Sequence, residues 1–141
     1  MLERYISRIK KNGWKVTPKR KAIVQIFLES GKYATPEEVW QKLKMEFRKI
    51  GLPTVYRNLE YFNRIGILVR VEGAENRFYY GLCQAKSSKE HHHHIVCTKC
   101  HRVEEVDTCE FQGLISYIEA NTGFKVSEHS LQLKGLCRQC Q

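Results

Sequence analysis

The spacing of apolar residues changes partway along the chain, from a helical period to short alternating runs. Leu2, Ile6 and Ile9 recur at helical spacing, and Asn12-Gly13 stops the helix they predict. Thr17-Pro18 reads as an N-cap followed by proline at the first helical position. Ala22, Ile23, Ile26 and Phe27 give this second helix its apolar face, and Gly31 ends it. Thr35-Pro36-Glu37-Glu38 starts a third helix with the spacing of a capping box, and Val39, Trp40, Leu43 and Phe47 form its inner stripe. After Gly51-Leu52, Pro53 opens a fourth helix with Val55, Leu59 and Phe62 inward and Gly66 at its close. Residues 67–71 and 77–80 are rich in strand formers and flank Gly73-Ala74-Glu75-Asn76, which predicts a β-hairpin. Beyond a polar stretch, residues 102–106 predict a strand and Phe111, Leu114, Ile115 and Ile118 a fifth helix that ends at Asn121-Thr122-Gly123. Residues 124–133 predict a long strand whose alternation slips near 127–130.

Helices followed by a hairpin predict a winged helix-turn-helix. The fold class is therefore α+β: a winged helix over residues 1–82, a linker over 83–90, and a small α/β domain over 91–141. Two units in 141 residues leave each a small core, which calls for a metal or a partner subunit. No apolar run approaches the ~20 residues needed to cross a bilayer, and the first residues carry no signal-peptide core. The expectation is a cytoplasmic protein with no membrane partner.

Charge sharpens this division. Residues 1–82 hold 17 Lys/Arg against 8 Asp/Glu, whereas residues 83–141 hold 7 of each, so the whole net charge of +9 falls on the first part. An excess confined to one module is the footprint of a polyanion-binding surface. Within that module Pro53-Thr54-Val55-Tyr56-Arg57-Asn58 begins the fourth helix. With Val55 and Leu59 inward, Tyr56 and Arg57 project outward from the turn that a recognition helix offers to the major groove. Arg57 has the planar fork that reads guanine edges or grips phosphate.

Four of the six cysteines form two C-x-x-C pairs, Cys97/Cys100 and Cys137/Cys140, with 36 residues between them. Two such knuckles complete a tetrahedral four-sulfur site suited to Zn2+, closed and therefore structural. His91-His92-His93-His94 abuts the first knuckle. On an extended chain His92 and His94 face one side, His91 and His93 the other, so each pair can serve a separate metal centre. Further donors stand at Cys83, Glu104, Glu105, Asp107 and His129, while Cys109 is assigned to the helix start or the core. No residue is assigned a catalytic role.

The histidine run, the two C-x-x-C pairs and the upstream Thr54-Val55-Tyr56-Arg57, in this order and spacing, resemble the ferric uptake regulator (Fur) family from Gly13 to Cys140. The resemblance implies a homodimeric repressor that binds a double-stranded DNA operator when a sensory metal is present. It places Lys15 in the minor groove and Tyr56 and Arg57 at the recognition-helix contacts. It implies a regulatory metal at His92, His94 and Glu105. By the same resemblance, Tyr33 and a tyrosine of Phe78-Tyr79-Tyr80 stand where the iron and peroxide sensors have a histidine and an acidic residue. Cys83 stands where the zinc-sensing branch has a ligand cysteine, so Cys83, His92, His94 and Glu105 favour Zn2+ over Fe2+. A third metal site of the family maps onto His91, His93 and His129, with Gln112 near a glutamate position. Two alternatives remain at this point: a constitutive zinc-ribbon nucleic-acid-binding protein, and a zinc hydrolase, for which H-E-x-x-H is lacking.

Overall fold

The computed structural model describes residues 1–83, 93–106 and 109–141. His91, His92, Asp107 and most of the expected linker therefore lie outside the described residues. The chain divides into two compact units, Met1–Gln84 and Ala85–Gln141. No helix among the described residues is long and apolar enough to cross a membrane.

The first unit opens with four helices: α1 (Leu2–Lys11), α2 (Pro18–Ser30), α3 (Pro36–Glu46) and α4 (Leu52–Arg64). Their starts and stops are chemical. The Thr17 hydroxyl accepts the Arg20 N–H, and Gly31 takes the left-handed conformation that ends α2. Thr35 and Glu38 complete a capping box on α3. Gly51 caps α4, so Leu52 rather than Pro53 is its first residue. Proline at the second position is still tolerated, because the first N–H groups of a helix have no partner inside it.

Strands β1 (Leu68–Glu72) and β2 (Phe78–Leu82) pair antiparallel, with Arg70 opposite Tyr80. A single 3-10 turn, Ala74–Asn76, joins them, and Glu75 and Asn76 both adopt positive φ. This wing is tied to α4. The Tyr80 hydroxyl donates to the Glu60 carboxylate, which also pairs with Arg70 Nη1 at 3.0 Å. Burial, then the Glu60 carboxylate, pushes the Tyr80 hydroxyl well above its ordinary pKa, so it stays a donor. One continuous apolar cluster fills the unit, including Ile9, Ile23, Phe27, Val39, Leu43, Val55, Leu59, Phe62 and Leu68.

Among its described residues the second unit forms a three-stranded sheet, β3 (His93–Cys97), β4 (Val103–Val106) and β5 (Gln132–Gly135), with α5 (Gln112–Thr122) between β4 and β5. The order is β4-β3-β5: β3 pairs antiparallel with β4 and parallel with β5. The long strand expected over 124–133 shrinks to β5. Its first part is drawn away from a ladder because the Val126 N–H donates to Glu119 Oε1 at 2.8 Å. A backbone donor satisfied by a side chain is lost to strand pairing. The helix expected around Phe111 and Ile118 forms, but none of its residues is buried. Tyr117 is 67% exposed and Phe124 75%, and Leu114, Ile118, Leu133 and Leu136 are exposed as well.

Candidate metal centres and nucleic-acid interface

The parallel pairing of β3 and β5 builds the sulfur cluster. Cys97 ends β3 opposite Gly135, so the chain leaving β5 delivers Cys137 and Cys140 beside the first knuckle. Each knuckle turns on its own backbone: the His101 N–H donates to Cys97 O, and the Cys140 N–H to Cys137 O. The ligand atoms of Cys97, Cys100, Cys137 and Cys140 all lie within 4.8 Å of one another. Cys100 Sγ and Cys137 Sγ are 3.7 Å apart. A tetrahedron with metal–sulfur bonds of about 2.3 Å has edges of about 3.8 Å. The donor set therefore fits Zn2+ in both chemistry and scale. Backbone N–H groups, Cys100's first and then Cys137's, hold the Cys97 thiol down to about 5. The Cys137 sulfur beside it pushes the Cys140 thiol up to about 12. Four crowded sulfurs cannot all ionise unaided, and a divalent cation is what relieves them.

Strand β3 buries two histidines, His93 at 2% and His94 at 7% exposure. Imidazole is costly to bury without polar partners. His94 stands opposite Glu105 on β4, which places these two expected regulatory residues on one face of the sheet. Their expected companion His92 lies outside the described residues. Cys83, the fourth, follows β2 in the first unit, where its N–H donates to Ile67 O.

On the other face of β3, His93 meets His129, with ring centroids 5.3 Å apart. The sequence also groups His91 here, which lies outside the described residues. Instead the structure adds Cys109: its Sγ is 3.1 Å from His129 Nε2, and ligand atoms of His93, Cys109 and His129 all lie within 4.8 Å of one another. Phe111 packs edge-on against His93 at 5.6 Å. Cys109, assigned from sequence to the helix start or the core, stands in the structure beside these two histidines. It precedes α5 by three residues, in the connection from β4, and its partners come from positions 93 and 129. The usable signal was residue type alone, a cysteine outside both knuckles.

In the first unit α4 presents Tyr56 and Arg57 outward, with Val55 and Leu59 buried beneath. The Tyr56 hydroxyl donates to Glu37 Oε1 on α3 at 2.9 Å. Lys15 is exposed in the loop between α1 and α2. All of the chain's excess positive charge sits in residues 1–82, which bring these three residues to the surface. We expect Arg57→Ala to lose about 1–3 kcal/mol of binding to a cognate duplex while metal content stays unchanged. Titration of a fluorescent duplex against both proteins checks this, and equal affinities would place the reading face elsewhere.

The chain is similar over most of its length to known proteins. The family model described as "Ferric uptake regulator family" matches residues 11–134. The ferric uptake regulation protein of Bacillus subtilis is 31% identical over 144 residues, covering 99% of this chain and 96% of that one. Among solved structures, the ferric uptake regulator of Francisella tularensis with iron is 32% identical with a TM-score of 0.73, over 91% of this chain and 95% of the other. A zinc uptake regulator complexed with zinc and DNA shares the fold at 21% identity, with a TM-score of 0.78 over 99% and 91% of the two chains. A match over most of the length, a relative of this similarity and the same two-unit architecture lead to one assignment: the chain belongs to the ferric uptake regulator family.

Proposed function

We propose that this protein is a cytoplasmic, homodimeric transcriptional repressor that binds double-stranded operator DNA when a regulatory metal is bound. The observation that carries the reading is the construction of β3. It alternates two buried histidines, His94 facing Glu105 and His93 facing Cys109 and His129, and it ends on the first sulfur of the four-cysteine cluster. One short strand thus contributes to two clustered donor sets and sets a buried histidine opposite a carboxylate, more metal chemistry than a constitutive zinc ribbon needs.

In this reading Cys97, Cys100, Cys137 and Cys140 hold structural Zn2+. Cys83, His92, His94 and Glu105 hold the regulatory ion, and a thiolate among two imidazoles and a carboxylate favours Zn2+ over Fe2+. Binding of the regulatory ion is linked to DNA binding, so each raises the affinity for the other. Lys15, Tyr56 and Arg57 make the DNA contacts. The exposed apolar residues of α5 and of 124–136 are the surface a second copy covers. The experiment is duplex binding by the full chain with and without a chelator too mild to strip the sulfur site. Chelator-sensitive binding supports the reading, whereas equal binding in both arms returns the protein to the constitutive class.

A third ion fits His93, Cys109 and His129, with His91 as a fourth donor supplied by the sequence. We expect Cys109→Ser to lower zinc stoichiometry by up to one equivalent per chain and leave the four-sulfur zinc and dimer intact. Metal analysis of protein purified without an affinity tag checks this. Unchanged zinc content would return Cys109 to a packing role.

A further inference from the structure

We propose that Arg20 is a positioning residue for DNA binding, fixing the separation between the Lys15 loop and the α4 recognition helix. The proposal rests on the DNA surface assigned above and adds to it a residue that need not touch DNA at all.

The side chain of Arg20 is half-buried and joins both elements. Its Nη1 donates to the Lys15 carbonyl oxygen at 2.6 Å, and its Nε donates to Asn58 Oδ1 on α4 at 3.0 Å. Asn58 is itself oriented, because its Nδ2 donates to Thr54 O at 2.8 Å. The guanidinium lies 4.5 Å from the Trp14 ring centroid and 5.5 Å from that of Tyr61. The centroids of those two rings lie 3.9 Å apart with their planes tilted by 32°, and Tyr61 is buried. The backbone is held too, since the Arg20 N–H bonds the Thr17 hydroxyl that caps α2.

The contacts converge on the two places the duplex would feel. The bond to Lys15 O fixes the peptide plane from which the Lys15 side chain departs. The bond to Asn58 fixes the same guanidinium to the residue directly after Arg57, in the turn that carries Tyr56. The minor and major grooves of a duplex are a set distance apart, so a lysine in one and an arginine in the other both reach only if that separation is held. Arginine suits this role because it is always charged, planar and forked, so one group bonds two acceptors while stacking on aromatic faces. Lysine keeps the charge but has no fork, which makes Arg20→Lys the informative change.

The test uses the metal-loaded full chain and a duplex recovered by the protein itself from a random-sequence pool, titrated at several salt concentrations. The variants are R20K, K15A, R57A and the R20K/K15A pair. We expect R20K to weaken binding about tenfold and to flatten the salt dependence by about one counterion, although net charge is unchanged. A general loss of stability would not produce that flattening. In the R20K background, K15A should cost less than about twofold, because the misplaced lysine no longer contributes. Additive losses in the pair, or an unchanged salt slope in R20K, would overturn the proposal. Should R20K lower the unfolding temperature, Asn58→Ser breaks the same link from the α4 side and must show the same coupling to K15A. Failure of the underlying DNA reading looks different: K15A and R57A would then both bind like the parent.

Discussion

Cys137→Ser is expected to release one zinc per chain, convert the dimer to monomer and unfold the second unit. The four sulfurs join segments far apart in sequence, with Cys100 and Cys137 separated by 37 positions and 3.7 Å. They do so where little else holds the unit: among the described residues its buried apolar side chains are Val96 and Cys97, while α5 buries none. Structural zinc contributes on the order of 10 kcal/mol in small zinc-dependent folds, more than a sheet of three short strands can replace. The first unit has its own continuous core and should keep its helical signal. Zinc analysis, sedimentation and far-ultraviolet circular dichroism on the same sample check the three parts. A C137S protein that stays dimeric with full zinc would refute the assignment.

Cys83→Ser, His94→Ala and Glu105→Ala should each leave the sulfur-bound zinc and the dimer in place while metal-activated DNA affinity falls about 5- to 150-fold, the usual range of coupling between linked sites. His94 and Glu105 are ladder partners, so losing either leaves its neighbour facing a buried, half-empty position. Cys83→Ser decides which metal is sensed. If H94A and E105A lose activation and C83S keeps it, imidazole and carboxylate suffice, and the preference for Zn2+ over Fe2+ fails. If all three variants bind duplex normally and ignore chelator, there is no metal switch.

What the sequence made legible was local. Thr17-Pro18, Thr35 with Glu38, and Gly31 announce helix ends because their partners lie within four residues. The two C-x-x-C pairs were equally readable, since thiolate spacing carries its own chemistry. The alternation at His93-His94 was right about opposite faces because strand geometry leaves no other choice. Three features were hidden because they depend on segments distant in sequence. The strand expected over 124–133 lost its first part to Glu119, a residue of α5 that no strand pattern includes. Cys109 acquires meaning only beside His129, twenty positions away. Arg20 reads as one more charge on an amphipathic helix until Lys15 and Asn58 are seen on either side of it.

The uneven placement of apolar side chains has a consequence for dilution. The first unit's stability belongs to the single chain, because its core closes within residues of that unit. The second unit leaves Leu114, Tyr117, Ile118 and Phe124 open to solvent, so in the proposed dimer part of its stability would come from the second copy and rise with the logarithm of protein concentration. Heating should show one transition whose midpoint ignores concentration and another that climbs with it. In a cell, occupancy of a two-headed site would then depend more steeply than linearly on the number of copies present. Repression would thus gauge the abundance of the repressor along with that of the metal.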